Sequence, residues 1–82
     1  MIGIQWRTKA LRQLKKIADQ GQREKIFAAV DELRSFPDCR NVKKLKGRDQ
    51  YRLRVGKWRV IFTKSLEILY IEEVKRRDEH TN

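Results

Sequence analysis

Arginines that alternate along one short segment are the residues of this chain best suited to chemistry on an anion. Residues 51–62 read YRLRVGKWRVIF, so two alternating runs flank a Gly-Lys pair. Glycine at the first position of a two-residue loop favours a type II′ hairpin turn. That register sets Arg54 opposite Arg59, with Arg52 one step along, and turns the apolar residues to the other face. Like charges directly opposite each other cost about 0.2–1 kcal/mol. We therefore interpret the arginines as an anion-binding surface; the alternative is a basic face that is only solvated.

The first half of the chain predicts the elements that must support this hairpin. Ile2, Ile4 and Trp6 alternate with glycine or polar residues, which predicts a short first strand. A helix capped by Thr8 follows, and then a second helix over about 22–35 that a proline stops. Two successive amphipathic helices form a helical hairpin, and its apolar stripe must lie on a sheet.

The second half of the chain predicts the rest of that sheet. A basic connector over 38–50 leads to the arginine hairpin, and a last strand runs over about 67–74. This last strand is apolar on both faces, which places it inside the sheet. The predicted fold is α+β, with an N-terminal strand and a helical hairpin packed on a small antiparallel sheet in the order β-α-α-β-β-β. We expect a single domain over 1–82.

The composition of the chain points to an anionic partner. There are 21 Lys and Arg residues against 11 Asp and Glu, which gives a net charge of +10. A strong excess of clustered basic residues is the electrostatic signature of a nucleic-acid binder, and it also suits a protein stored against an acidic partner.

The single cysteine and the single histidine limit which disulfides and metal sites the chain can form. Cys39 and His80 are single residues of their kinds, so neither an internal disulfide nor a Cys/His zinc site is expected. We expect no metal and no cofactor. The absence of disulfides favours a cytoplasmic location. The N-terminus does not read as a signal peptide, and no apolar run approaches the roughly 20 residues of a membrane span, so no membrane partner is expected.

Four segments carry a resemblance to a known family. They are LKG at 45–47, YRLRVG at 51–56, WRVIF at 58–62 and VKRR at 74–77. Together with the predicted order of elements, they resemble the RelE/ParE toxin superfamily of type II toxin–antitoxin pairs, with its RelE-like branch favoured. The resemblance implies a small cytoplasmic toxin that a cognate antitoxin neutralises.

The superfamily divides by function. RelE-like members cleave mRNA in the ribosomal A site, whereas ParE-like members share the fold and poison DNA gyrase. RelE-like sites use basic residues at two alternate positions before the hairpin turn, an arginine just after it and another near the end of the last strand. In this chain the matching positions are Arg52, Arg54, Arg59 and Arg76. Many relatives also carry a tyrosine near the C-terminus, where this chain reads EHTN at 79–82.

The chemistry of the guanidinium group suggests a division of roles among these cations. Guanidinium groups bind phosphate through paired hydrogen bonds, so we expect Arg54 and Arg59 to clamp the scissile phosphate, while Arg52 and Arg76 hold the RNA backbone. Arginine is a poor proton carrier, since its pKa exceeds about 12. His80 is the candidate proton carrier, because histidine titrates near neutrality, and the alternative is a tail residue with no role.

Further groups complete the predicted site. Lys46, Glu72 and Glu73 are weaker candidates for a general base, and structural pairing with arginines is favoured for the two carboxylates. The residues expected to contact phosphate are Lys43, Lys44, Lys46, Arg48, Arg52 and Arg77.

The leading function is a ribosome-dependent mRNA endonuclease that cleaves by attack of the 2′-hydroxyl and so inhibits translation. Its expected partners are mRNA on the ribosome and an acidic antitoxin, which we expect to fold as an amphipathic helix against the sheet or the helical hairpin. The missing tyrosine and the lack of an obvious general base motivate the alternative of a DNA gyrase inhibitor. A family member that binds RNA without cleaving it is the third possibility.

Overall fold

A five-stranded sheet with two helices on one face forms the fold of residues 2–47 and 49–76, the part of the chain that this computed structural model describes. The elements in chain order are β1 (Gly3–Trp6), α1 (Thr8–Lys15), α2 (Gln20–Asp31), a 3₁₀ turn (Glu32–Ser35), β2 (Val42–Lys44), β3 (Gln50–Val55), β4 (Trp58–Ser65) and β5 (Ile68–Arg76). The strand order is β1-β5-β4-β3-β2.

The predicted α+β class is confirmed, and the sheet is mixed rather than wholly antiparallel. β1 runs parallel to β5, while the other neighbouring strands are antiparallel. β5 lies between β1 and β4, as its two apolar faces predicted. The expected connector contains an additional short strand, β2, in which Val42 lies opposite Leu53 of β3. Alternation over three residues is too short to distinguish such an edge strand from a loop.

The helices begin and end close to the predicted positions. Arg7, not Thr8, is the N-cap of α1, and its side chain makes no capping hydrogen bond. Asp19 caps α2 by accepting a hydrogen bond from the backbone N of Gln22 at 3.1 Å. The 3₁₀ turn carries the helical backbone on to Ser35, the predicted end. Within the described residues, neither helix is both long and apolar enough to cross a membrane.

The hydrophobic core lies between the helices and one face of the sheet. The helices contribute Ala10, Leu14, Ile26 and Val30, and the strands contribute Leu53, Val60, Phe62, Leu69, Ile71 and Val74. Phe62 is fully buried and stacks on Tyr51 at a ring-centroid distance of 5.4 Å. The ring of Phe36 meets both of them edge-on, at 5.1 and 5.8 Å. One face of the sheet is thereby committed to packing, and alternation along the strands directs the polar side chains to the other face.

We expect Phe62→Ala to lower the free energy of unfolding by about 3–5 kcal/mol, because it leaves a cavity among the aromatic rings. The matched control is Leu66→Ala, since Leu66 is 86% exposed in the β4–β5 turn. That substitution should change stability by less than about 0.5 kcal/mol. Urea denaturation of both variants measures the difference, and equal stabilities would refute this account of the core.

A basic face opposite the helices

The β3–β4 hairpin has the predicted register. Arg54 lies opposite Arg59, and Leu53 lies opposite Val60. Gly56 has a φ of +57°, as the first position of a type II′ turn requires. Next to the turn, Trp58 Nε1 donates a hydrogen bond to Gln22 Oε1 at 2.9 Å and so ties the hairpin to α2.

Alternation along the strands collects five cations on the face opposite the helices. Leu53 and Val60 are buried in the core, so their neighbours Arg54 and Arg59 point the other way. We call this surface the basic face and define it by the residues that the register places there: Lys43, Arg52, Arg54, Arg59 and Lys75.

The basic face consists of two rows that cross the strands. In one row Arg54, Arg59 and Lys75 are direct neighbours on β3, β4 and β5. In the other row Lys43 lies opposite Arg52, and Arg52 lies opposite Ile61. The first row therefore brings three positive charges together without an intervening apolar residue.

Arg59 is the most constrained cation of this row. Its side chain is half-buried, and its Nε is buried with no hydrogen-bond partner in the described part of the chain. Leaving a buried donor unsatisfied costs about 1–3 kcal/mol. Among residues 2–47 and 49–76, no carboxylate forms an ion pair with Arg54 or Arg59. An anion with several acceptor oxygens would satisfy both guanidinium groups.

Both glutamates of β5 form ion pairs: Glu72 pairs with an arginine, as predicted, whereas Glu73 pairs with two lysines. Glu73 lies 3.5 Å from Lys75 Nζ through Oε1 and 3.7 Å from Lys9 Nζ through Oε2. Glu72 Oε2 lies 3.4 Å from Arg7 Nε and accepts a hydrogen bond from Thr63 Oγ1 at 3.0 Å. Both carboxylates thus serve local structure in this state.

The structure does not bring Arg76 to the basic face. Arg76 lies opposite Trp58, on the side of the sheet that the helices cover, and its guanidinium carbon lies 5.6 Å from the centre of the Trp58 ring. The residue that lies opposite Arg59 is Lys75, which the sequence analysis did not select.

The other predicted phosphate contacts are distributed around the β2 edge. Lys43 belongs to the basic face, whereas Lys44 lies opposite Tyr51 and so points to the other side. Lys46 is exposed in the turn between β2 and β3. Three further predicted residues lie outside the described residues: Arg48, Arg77 and His80.

The surroundings of the single thiol, Cys39, do not activate it. Cys39 lines a groove of about 670 Å³ beside Arg54. Partial burial raises the pKa of the Cys39 thiol, and this outweighs the hydrogen bond with Ser35, which lowers the pKa. A thiol with a raised pKa is protonated at neutral pH, so it is not activated.

The fold is similar to those of several solved toxins. It matches the RelE of the archaeal RelE–RelB complex from Pyrococcus horikoshii OT3 with a TM-score of 0.81 and 23% identity, over 96% of this chain and 98% of that one. The isolated E. coli RelE toxin gives a TM-score of 0.80 and 18% identity, over 100% and 89% of the two chains. The YoeB/ParE toxin from Agrobacterium tumefaciens gives a TM-score of 0.75 and 15% identity, over 92% of this chain and 98% of that one.

The sequence itself establishes the family. No curated protein sequence matches the chain. Residues 4–80 match the family model described as the ParE toxin of the type II toxin–antitoxin system parDE. This match spans nearly the whole chain, and it agrees with the RelE-like fold described above. The chain therefore belongs to the ParE toxin family of type II toxin–antitoxin systems, within the RelE/ParE superfamily.

Proposed function

We propose that this toxin is a ribosome-dependent mRNA endonuclease that inhibits translation. The observation that carries the proposal is the direct opposition of Arg54 and Arg59 on the basic face. Neither residue is neutralised by a carboxylate in the described part of the chain, and the buried Nε of Arg59 has no partner there. Such a pair suits a phosphate that gains charge during a reaction.

The reaction we propose is attack of the RNA 2′-oxygen on the adjacent phosphorus. The bond to the 5′-oxygen then breaks, which leaves a 2′,3′-cyclic phosphate and a 5′-hydroxyl. Arg54 and Arg59 donate hydrogen bonds to the non-bridging oxygens, where negative charge accumulates in the transition state. Arg52 binds the neighbouring backbone.

Proton transfer needs a group other than these arginines. Glu72 and Glu73 are engaged in ion pairs, so neither is poised as a base. We retain His80 as the proposed proton carrier. The ribosome holds the mRNA in the reactive geometry, and this positioning removes much of the entropic barrier.

We expect Arg59→Met to reduce mRNA cleavage by about 10²–10³-fold, the usual loss when a donor to the developing charge is removed. Methionine keeps much of the aliphatic packing of the side chain and removes its charge. Primer extension on an mRNA translated in a reconstituted system measures the cuts, with naked mRNA as the negative control.

The matched control is Lys64→Met, which removes one exposed positive charge from the same strand. Lys64 lies opposite Leu69, away from the basic face, so its loss should leave cleavage unchanged. Full cleavage by folded Arg59→Met would refute the role of Arg59. If the folded wild-type protein makes no cuts on translated mRNA, the nuclease proposal itself fails.

Inhibition of DNA gyrase is the second candidate function. The matching family model is that of the ParE toxin, and the β5 carboxylates are already paired, which leaves no free base among the described residues of the basic face. A supercoiling assay with purified gyrase separates the two functions. Inhibition of gyrase without mRNA cleavage favours this candidate, whereas RNA binding without either activity indicates a non-catalytic family member.

We also propose that an acidic antitoxin segment docks as an amphipathic helix between α1 and α2. Phe27 is 55% exposed, and it lines a shallow groove of about 350 Å³ together with Leu14 and Ala28. Lys15, Arg23 and Glu24 line the same groove, so two cations stand there against one carboxylate. Acidic residues flanking an apolar stripe would complement this arrangement. The similar archaeal RelE was solved with RelB.

We expect Phe27→Ser to weaken antitoxin binding by about 30-fold or more, as is usual when a central aromatic anchor is lost. Titration with the cognate antitoxin by calorimetry measures the effect. Leu66→Ser removes an even more exposed apolar side chain far along the chain, in the β4–β5 turn, and should leave binding intact. Equal losses from both variants would contradict docking between the helices.

A further inference from the structure

We propose that Lys75 is the third cation that contacts the phosphate held by Arg54 and Arg59, and that Glu73 holds Lys75 until this phosphate displaces it. The inference rests on the proposed role of the basic face in binding RNA, and it does not require that the RNA is cleaved.

The register places Lys75 at the end of the arginine row. Lys75 lies opposite Arg59, and Arg59 lies opposite Arg54. Directly opposite residues of antiparallel strands have their Cβ atoms about 5 Å apart. A lysine side chain is longer than this separation, so its ammonium group can reach an anion bound at Arg59.

A register shift between β4 and β5 determines that Lys75, and not Arg76, lies beside Arg59. Leu69 and Ile71 are buried in the core, so simple alternation would direct Arg76 away from the core and Lys75 into it. The pairing of β4 with β5 shifts between Ile61 and Phe62, because Ile61 lies opposite Glu73 whereas Phe62 lies opposite Ile71. This leaves one extra residue on β5, and every residue after it changes face.

The contacts on either side of the strand agree with this reversal. Beyond the shift, Val74 is only 3% exposed and belongs to the core. Its backbone N donates a hydrogen bond to Gln13 Oε1 at 2.7 Å, which fixes the end of β5 against α1. Arg76 accordingly contacts Trp58 on the helix side, while Lys75 contacts Glu73 on the basic face.

The ion pair with Glu73 keeps Lys75 in place and can be exchanged. Lys75 and Glu73 are 47% and 29% exposed, and their closest N–O distance is 3.5 Å. Partly exposed pairs of this kind are weak. A phosphate offers several acceptor oxygens to the ammonium group, and Lys9 remains 3.7 Å from Glu73 to balance its charge. When a phosphate replaces Glu73 as the partner of Lys75, Glu73 therefore keeps its ion pair with Lys9.

The test compares Lys75→Met and Arg76→Met, with Lys64→Met as the control for the loss of one exposed charge. Fluorescence anisotropy measures the affinity for a single-stranded RNA oligonucleotide over a range of salt concentrations, and thermal unfolding verifies that each variant is folded. Loss of one phosphate contact on single-stranded RNA lowers the slope of log K against log salt by about 0.7 in magnitude.

We expect Lys75→Met to weaken RNA binding at least five-fold and to reduce the slope by this amount, and Arg76→Met to have a smaller effect. We expect Lys64→Met to leave both quantities as in the wild type. Wild-type affinity and slope in Lys75→Met, or a larger loss in Arg76→Met, would overturn the assignment. A wild-type protein that does not bind the RNA overturns it as well.

The role of Glu73 is tested separately, by the RNA affinity of Glu73→Gln with and without Lys75→Met. Glu73→Gln removes the competitor of the phosphate, so it should tighten RNA binding a few-fold, and this gain should shrink when Lys75→Met is also present. An equal gain in both backgrounds would show that Glu73 acts through its general charge and not through Lys75. These binding experiments are independent of primer extension, so a wild type that binds RNA and makes no cuts refutes the nuclease alone.

Discussion

The register of the β3–β4 hairpin, which sets Arg54 opposite Arg59, is the constraint on which the rest of the structure depends. Repulsion between directly opposite like charges costs about 0.2–1 kcal/mol. On the other face, the same register buries Leu53 and Val60, and each such side chain contributes about 1.5–3 kcal/mol. Burial exceeds repulsion, so the arginines remain together. A slip of one residue would send them into the core.

The last residues of β5 are held by two hydrogen bonds to the N-terminal segment, one with Arg7 and one with Gln13. β1 ends at Trp6, and α1 takes its place along the rest of β5. Arg7 N donates to the carbonyl of Ile71 at 2.9 Å, and Gln13 accepts from Val74 N at 2.7 Å. These two bonds satisfy backbone groups that an uncovered strand edge would expose. They also fix the position of the strand that carries Lys75, so a side chain of α1 helps to organise the basic face from the far side of the sheet.

The sequence predicted those parts of the molecule that short-range patterns govern. Alternation and the Gly-Lys turn were sufficient for the hairpin register. Helical spacing in the second helix predicts an apolar stripe of Ile26, Phe27, Val30 and Leu33. Three of these residues are buried in the core, whereas Phe27 is 55% exposed. The parallel pairing of β1 with β5 could not be predicted in this way, because it joins strands more than 60 residues apart. Such long-range pairing leaves no mark on local periodicity.

The positions of Lys75 and Arg76 could not be predicted from the sequence pattern alone. Family spacing selected Arg76, yet the extra residue on β5 reverses the faces and brings Lys75 to Arg59 instead. The sequence carries one sign of this reversal, since Ile71 and Val74 are separated by two glutamates where strict alternation would allow one polar residue. The ion pairs of the two β5 glutamates also depend on tertiary structure, because Lys9 and Arg7 reach Glu73 and Glu72 from the distant N-terminal segment.

We predict that Arg54 and Arg59 repel each other in the free protein and that a bound phosphate removes this repulsion. A double-mutant cycle tests it most directly, with Arg54→Met, Arg59→Met and the double variant unfolded in urea at low salt. We predict a repulsive coupling of about 0.2–1 kcal/mol that falls toward zero on addition of inorganic phosphate. Chloride at matched ionic strength should reduce the coupling less. A coupling that is attractive or zero, or one that phosphate and chloride reduce equally, would contradict the claim.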